Sequence, residues 1–205
     1  SAREAAPALA VALRAPRARA AFAAQGGVAL LAARLNDAGG GAQLKYEVAF
    51  SLWCLSFEED APDDFVRSHA VEALCGAVAA APREKVVRVA VTALLNAARD
   101  DAAATRMVGA GLGTTLASMA SRPFADDDVK AAVGELATRV KSVSKELSTL
   151  ERYAAEVASG KLRWGPVHSE AFWVEHAKAA EKDDFALVRR LVEVLSEATG
   201  DVEAL

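Results

Sequence analysis

The sequence contains few of the residues that mark membrane, redox or nucleic-acid-binding proteins. Aromatic residues make up only 6% of the 205 residues, and there are two cysteines. No apolar stretch approaches the roughly 20 residues that cross a bilayer, so we expect no direct membrane insertion. The net charge of −4 lacks the basic excess of nucleic-acid-binding proteins, so we expect no nucleic-acid partner. Alternating runs of β-branched and aromatic residues are scarce, which argues against a sheet.

The cysteines offer no redox or metal chemistry. Cys54 and Cys75 lie in apolar helical runs and have neither a CxxC spacing nor a nearby histidine. We predict that both are buried and reduced, as in a cytosolic protein. Residue 1 is Ser and no secretory signal is recognisable, so we expect the chain to be a fragment or a processed product.

Alanine, leucine and valine are abundant, and apolar residues recur at a regular spacing along the chain. Leu52, Leu94 and Leu136 occupy matching places in three helical stretches, spaced by 42 residues and again by 42. A fourth copy is expected at the start of the chain, around Ala10, one period before Leu52. Alanine favours helix, so the chain is predicted to be all-α.

A second set of helical stretches alternates with the first. Its matching residues are Val28, Val71 and Leu112, which are 43 and 41 residues apart. Each unit therefore consists of a short helix, a sharp joint, a second helix, a loop and a longer third helix. This layout is typical of armadillo and HEAT-like repeats, which stack to bury their apolar faces. We predict a right-handed α-α superhelix, that is, an armadillo/HEAT-like solenoid.

The glycine-rich stretch GAGLGTT at 109–115 is similar to a phosphate-binding loop only at first sight. It lacks the lysine of the P-loop and the last glycine of the dinucleotide fingerprint. It also falls in register with QGGVALL and SHAVEAL of the preceding repeats, at the joint between the first and second helices. Glycine permits a sharp turn there. We therefore predict a structural joint and no cofactor.

Other candidate sites for chemistry also lack the required pattern. The acidic residues Asp63, Asp64 and 126–128 do not have calcium-loop spacing and are expected to start helices. Glu58 and Glu59 lie in a loop, and His69 has no partner at a catalytic spacing. We predict no catalytic residue and no metal site. The Trp/Asn ladder with which importins hold extended peptides is absent as well.

The period ends near residue 141. Residues 141–160 are predicted to form one long helical run that ends at Gly160. A connector follows, and new helices are expected from Ser169 and from Asp183 or Asp184. The last helix carries an apolar face of Phe185, Val188, Leu191, Val192 and Leu195. The predicted domains are the solenoid at 1–160, a hinge at 161–168, and the opening helices of a second domain at 169–205.

The connector and the helix after it concentrate the rare residues of the chain. Residues 160–177 hold two of the three tryptophans and two of the three histidines. A zinc site at His168 and His176 would require further ligands, which no nearby Cys or His supplies. Trp164 and Trp173 bracket Pro166, so we expect them to wedge the connector between the domains. We interpret this segment as a hinge anchor.

This segment closely resembles the hinge of the H subunit of the vacuolar-type proton-pumping ATPase. The matching residues that make up the family signature are Gly160, Leu162, Trp164, Pro166, Val167, His168, Phe172 and Trp173. The resemblance begins earlier, with Leu147, Ser148, Tyr153, Glu156 and Ser159, and ends with Glu175. The upstream stretch LKYEVAFSLWCLSF also resembles the family, through Leu44, Tyr46, Phe50, Ser51, Trp53, Leu55 and Phe57. The resemblance extends from about residue 44 to 197.

The resemblance implies a fold and a role. The family fold is an N-terminal armadillo/HEAT-like solenoid, a hinge and a smaller C-terminal helical domain. The implied role is regulatory and not catalytic: coupling or silencing ATP hydrolysis and proton pumping. The implied partners are the stator stalk, the cytosolic part of the membrane-embedded subunit and the soluble catalytic sector. The implied location is cytoplasmic, peripheral on the cytosolic face of vacuolar or other endomembranes. The alternative is a generic armadillo scaffold that binds peptides or other proteins.

Overall fold

A computed structural model describes residues 2–37, 41–81, 83–120, 122–162 and 165–200. In these ranges the chain is all-helical, as predicted, and forms an α-solenoid followed by a second domain. It divides into two compact units, Ser1–Val143 and Ser144–Leu205. The α-helices of the first unit are α1 Ala2–Ala12, α2 Pro16–Ala24, α3 Gly27–Asn36, α4 Ala42–Leu55, α5 Ala61–Arg67, α6 Ala70–Ala80, α7 Glu84–Ala97, α8 Asp101–Gly109, α9 Leu112–Met119 and α10 Asp127–Leu147, whose last turn enters the second unit. The second unit continues with α11 Leu150–Ser159, a 3-10 turn Pro166–His168, α12 Glu170–Lys182 and α13 Ala186–Gly200.

The first unit consists of the predicted repeats. Three complete units of three helices follow one another, α2–α4, α5–α7 and α8–α10, and α1 precedes them as a single third helix. The two leucines in the α4 and α7 register, Leu52 and Leu94, are fully buried, and so is Leu136 in α10. Val28, Val71 and Leu112 are buried in the same core. The 42-residue period therefore corresponds to one layer of core per repeat.

The joint between the first and second helices has the same backbone conformation in all three repeats. Gly26, His69 and Gly111 have φ of 74°, 57° and 71°, and each precedes the first residue of a second helix. This left-handed conformation is unstrained only for glycine. GAGLGTT is thus a joint, as its register predicts. His69 is the exception among the three joints, because it occupies a left-handed position that favours glycine.

Arginine side chains connect successive repeats through backbone carbonyls. Arg99 Nη2 donates to the carbonyl of Glu58 at 2.6 Å, just beyond the end of α4. Arg139 Nε donates to the carbonyl of Ala98 at 3.0 Å, at the end of α7. The last carbonyls of a helix have no partner within the helix, so the bond to Ala98 satisfies an acceptor at the end of α7, whereas the Glu58 carbonyl also accepts from the N–H of Ala61 at 3.2 Å. Each arginine thereby fastens one repeat to the next.

The second unit begins earlier than the sequence predicts. Residues 141–160 do not form one helix, because the chain is extended at Thr149 and α11 starts at Leu150. Thr149 Oγ1 accepts a hydrogen bond from the backbone N–H of Arg152 at 3.2 Å, which is a helix N-cap. Residues 144–160, which we assigned to the solenoid, therefore belong to the second unit.

The predicted start of the helix agrees with the structure for α12 but not for α13. Ser169 Oγ accepts from the backbone N–H of Phe172 at 3.2 Å, so the predicted N-cap of α12 is confirmed. The predicted start of α13 at Asp183 or Asp184 is wrong. Asp183 ends α12, and the next two residues, Asp184 and Phe185, have φ of 51° and 54°. These left-handed residues turn the chain before α13 begins at Ala186.

Candidate functional site

The described part of the family signature lies inside the second unit, where three local features position it. Gly160 has φ of 68° and ends α11 in the left-handed conformation that glycine tolerates. Pro166 opens the 3-10 turn, as its fixed φ favours at a first helical position. Ser169 then caps α12. The turn is thereby held between the end of α11 and the start of α12.

Tyr153 on α11 is the centre of an aromatic cluster. Its ring centroid lies 5.5 Å from the ring of His168, 5.4 Å from that of Phe172 and 5.5 Å from that of Trp173, all in edge-on geometry. Edge-to-face pairs at such distances contribute beyond the area that they bury, about 0.5–1.5 kcal/mol each. We call Tyr153, Val157, His168, Phe172 and Trp173 the aromatic cluster. It joins α11, the 3-10 turn and α12.

Burial shows that this cluster is the core of the second unit. Tyr153, Val157 and Phe172 are at most 3% exposed, and so is Val167 of the turn. Trp173 is half-buried and packs against this core. Burial and the nearby Glu156 carboxylate raise the pKa of Tyr153. The phenol therefore stays neutral and acts as a packing group.

His168 is oriented by the backbone of the turn. The N–H of Gly165 donates to His168 Nδ1 at 3.2 Å, so Nδ1 is an acceptor in this geometry. His168 Nε2 lies 3.7 Å from Glu156 Oε1. Both side chains are largely buried, at 11% and 17% exposed. The histidine thus connects the turn to the middle of α11 and has a structural explanation.

His176 has a similar role on the next part of α12. Its Nε2 lies 3.1 Å from the carbonyl oxygen of Ser148, and its ring centroid lies 4.5 Å from that of Phe172. The contact ties α12 to the residues between α10 and α11. In the part of the chain that the structure describes, no group of three or more His, Cys, Asp or Glu residues is placed to hold a metal ion. Each of the two histidines contacts backbone or ring groups of the second unit.

Among the predicted signature residues, the structure brings together Val167, His168, Phe172 and Trp173. Leu162 is 44% exposed and does not belong to the cluster. Trp164 lies outside the described residues. Trp173 packs within the second unit, so its role as a wedge between domains stays a prediction, as does the hinge at 161–168. A hinge there would move α12 relative to α11, because residues 165–168 lie between them.

Tyr153 and His176 were not predicted to be site residues, but the structure gives both a central place. Tyr153 forms the centre of the cluster, and His176 secures the turn at Ser148. Tyr153 and Val157 are spaced by four residues, which indicated an apolar face but not its partner. The ring contacts of Tyr153 come from residues 15 to 20 positions later, which periodicity cannot show.

The other candidates for chemistry in the first unit have structural partners. Glu58 Oε1 accepts from Arg19 Nε at 2.5 Å, and His69 Nδ1 lies 3.8 Å from Glu72 Oε1. Burial raises the pKa of the Cys75 thiol to about 12, and burial also raises the pKa of Cys54. A thiol with a raised pKa is a poor nucleophile near neutral pH. Both cysteines are free and buried, as predicted.

Comparison with known proteins gives the family. Two family models, both described as the V-ATPase H subunit, match the chain: an N-terminal model over residues 4–140 and a C-terminal model over residues 146–204. The chain belongs to the V-ATPase H-subunit family. The gap between the matched stretches contains the division at Val143 and Ser144, so the two family models and the two compact units separate at the same place.

Curated relatives carry the same description. A probable H subunit of the V-type proton ATPase from Oryza sativa subsp. japonica is 32% identical over 200 residues, which is 96% of this chain and 44% of the relative. The H subunit of the V-type proton ATPase from Dictyostelium discoideum is 27% identical over 154 residues, 75% of this chain and 35% of the relative. The chain thus spans less than half the length of these relatives.

A solved structure is similar in fold. The crystal structure of an engineered protein has a TM-score of 0.59 and 26% identity to this chain, covering 68% of this chain and 56% of that one. In the described ranges, no helix is both long and apolar enough to cross a bilayer.

Proposed function

We propose that the chain acts as a non-catalytic regulatory part of a vacuolar-type proton-transporting ATPase. The observation that carries the proposal is the match of both H-subunit models, in order, over residues 4–140 and 146–204. The described residues support it through structural contacts of candidate groups: Glu58 accepts from Arg19, and His168 Nδ1 accepts from the N–H of Gly165. The function would then be exerted through protein contacts, which couple or silence ATP hydrolysis and proton pumping.

The proposed partners are other subunits of the same pump. They are the stator stalk, the cytosolic part of the membrane-embedded subunit and the soluble catalytic sector. The proposed location is cytoplasmic, peripheral on the cytosolic face of vacuolar or other endomembranes. Two compact units suit such a role, because one unit can stay bound while the other exchanges partners. The solenoid supplies an extended surface for the first task, as repeat proteins do.

The test combines binding with hydrolysis. The chain is added to the soluble catalytic sector that has been detached from the pump of the same organism. We expect the chain to co-sediment with the sector and to lower its ATP hydrolysis. The comparison variant is Phe172→Ala, which removes a buried core side chain of the second unit and should leave the solenoid intact. Unchanged hydrolysis together with an absence of binding to the sector or to the isolated stalk would overturn the proposal.

A further inference from the structure

One surface of the solenoid carries large aromatic side chains in a continuous row. Tyr46, Phe50, Trp53 and Phe57 follow one another along α4 and the residues just after it. Their ring centroids are 6.1, 5.2 and 5.3 Å apart in succession. We call these four residues the aromatic stripe. The first three are half-buried at the edge of the core, and Phe57 is 54% exposed.

The opposite side of α4 already fulfils the packing role of the helix. Val48, Leu52 and Leu55 are buried in the repeat core. The aromatic stripe lies on the other side of α4, where its first three residues pack against the edge of the core and Phe57 is exposed. A contiguous, partly exposed apolar row marks an interaction site more often than a single exposed residue does. Aromatic side chains are also the residues most enriched where proteins bind one another.

The spacing of the stripe specifies the shape of a partner. The steps from Tyr46 to Phe57 are four, three and four residues, which is the spacing of a coiled-coil seam. At 1.5 Å per residue, the row is about 16 Å long, or roughly three turns. A second helix with apolar side chains at three- and four-residue steps can interdigitate with such a row. An extended strand, whose side chains alternate, would match it poorly.

Cations flank the stripe on two sides. The guanidinium carbon of Arg14 lies 5.5 Å from the ring centroid of Phe50, and Lys85 Nζ on α7 lies 4.6 Å from that of Tyr46. The carboxylate of α4 nearest the row, Glu47, accepts a hydrogen bond from Gln43. Both cations lie over rings of the stripe, and Lys85 Nζ also donates to Gln43 Oε1 at 3.1 Å. They favour a partner with carboxylates at its flanks.

The equivalent positions of the later third helices differ from α4. One repeat onward the row carries no aromatic residue; its members are Arg88, Thr92, Leu95 and Arg99. Two repeats onward its members are Lys130, Gly134, Ala137 and Lys141. The apolar anchor is therefore confined to α4, and the same row on α7 and α10 supplies further cations, of which Arg88 pairs with Asp126. This distribution places one apolar helix seat beside cations and carboxylates, since Glu58 directly follows Phe57 and pairs with Arg19, while Arg14 and Lys85 lie over the rings.

We propose that the aromatic stripe is a docking seat for one amphipathic helix of a partner protein, with an apolar seam flanked by Asp and Glu. The apolar side chains of the partner pack between the rings, and its carboxylates pair with Arg14 and Lys85. The proposal is independent of the pump assignment, since it rests on α4 and its neighbours alone.

The test uses a synthetic helix as the probe. A fluorescein-labelled peptide of about 21 residues, or six helical turns, carries Leu at three- and four-residue steps, Glu at the flanking positions and Ala elsewhere. A matched peptide carries Lys in place of Glu. Fluorescence anisotropy with the whole chain is expected to show the acidic peptide binding at least about tenfold more tightly than the basic one, because of charge complementarity. Equal affinities for the two peptides would overturn the proposal.

Two chain variants locate the binding. Phe57→Ser is expected to weaken acidic-peptide binding about tenfold, since it removes an exposed anchor without opening the core. Leu30→Ser on α3 is the matched control, because Leu30 is exposed to the same degree, 55%. The double variant Arg14→Glu, Lys85→Glu should reverse the preference between the peptides. Equal weakening by both serine variants, or an unchanged preference in the double variant, would overturn the assignment. Circular dichroism melting checks that each variant is folded.

Discussion

The two units of this chain are both helical, but their cores are built differently. The solenoid buries small aliphatic residues that recur every repeat, such as Val71, Ala90 and Leu94. The second unit depends on one aromatic cluster centred on Tyr153. In a repeat array each layer packs against its neighbours, so the destabilisation caused by removing one contact is distributed over several repeats. In the second unit the single residue Tyr153 connects α11, the 3-10 turn and α12, so the stability of the unit depends on few contacts.

The largest effect is expected from Phe172→Ala in the second unit. Removing a buried aromatic side chain typically costs about 3–5 kcal/mol, which is comparable to the whole stability of a small unit. We expect α11 to α13 to lose their stable structure while the solenoid stays folded. Thermal melting followed by circular dichroism should lose a minor helical transition and keep the major one. Val174→Ala, an exposed change on the same helix, is the control and should preserve both transitions.

A comparable change in the solenoid should have a different outcome. Leu94 of α7 is fully buried, and Leu→Ala at such a site costs about 2–5 kcal/mol. Because neighbouring repeats share the core, we expect the major melting transition to move to lower temperature without disappearing. Urea titration of Leu94→Ala against Leu95→Ala, its half-buried neighbour, measures the difference. A larger loss from Leu95→Ala would contradict the assigned core.

Alkaline pH should weaken the solenoid through Cys75. Burial raises the pKa of this thiol from 9.0 to about 12, so the folded state keeps the proton that the unfolded state loses. The stabilising contribution is complete below pH 9 and is lost as the pH rises toward 12. At about pH 10.5 the loss is about 2 kcal/mol relative to neutral pH. Urea titrations at both pH values should show this slope in the parent chain and a smaller slope in Cys75→Ala. Equal slopes in the two proteins would contradict the burial of the thiol.

The smallest effects are expected at the joints of the repeats. Gly111→Ala meets no atom within 4 Å but places a side chain at φ of 71°, which costs about 1–2 kcal/mol. His69→Gly at the equivalent joint relieves that conformation at some entropic cost, so we expect a gain of about 0.5 kcal/mol. Urea titration should show that the free energy of unfolding falls in Gly111→Ala and rises in His69→Gly. The same sign for both changes would show that the joints are not equivalent.

The difference between the units also explains what the sequence could predict. The repeats are visible because their core residues recur, as Leu52, Leu94 and Leu136 do, and their joints fall in one register. The start of the second unit is not visible in this way. The apolar spacing of Leu147, Leu150 and Tyr153 continues across the break at Thr149, so periodicity predicted one helix.

Two further features of the second unit depend on contacts that are distant in sequence. Tyr153 is central only because the turn and α12 fold back onto it. The apolar face predicted for α13 is divided in the structure: Leu191 packs against the cluster, whereas Val192 and Leu195 are exposed. A helical period identifies a face as apolar but does not say which of its residues an adjacent element covers.

Hydrogen exchange on Phe172→Ala, followed by mass spectrometry, tests most directly that the chain consists of two separately stabilised units. The amides of α11 and α12 should lose their protection, and those of α4 and α7 should exchange as in the parent chain. Equal loss of protection across both units would contradict the account, and so would undiminished protection of α11.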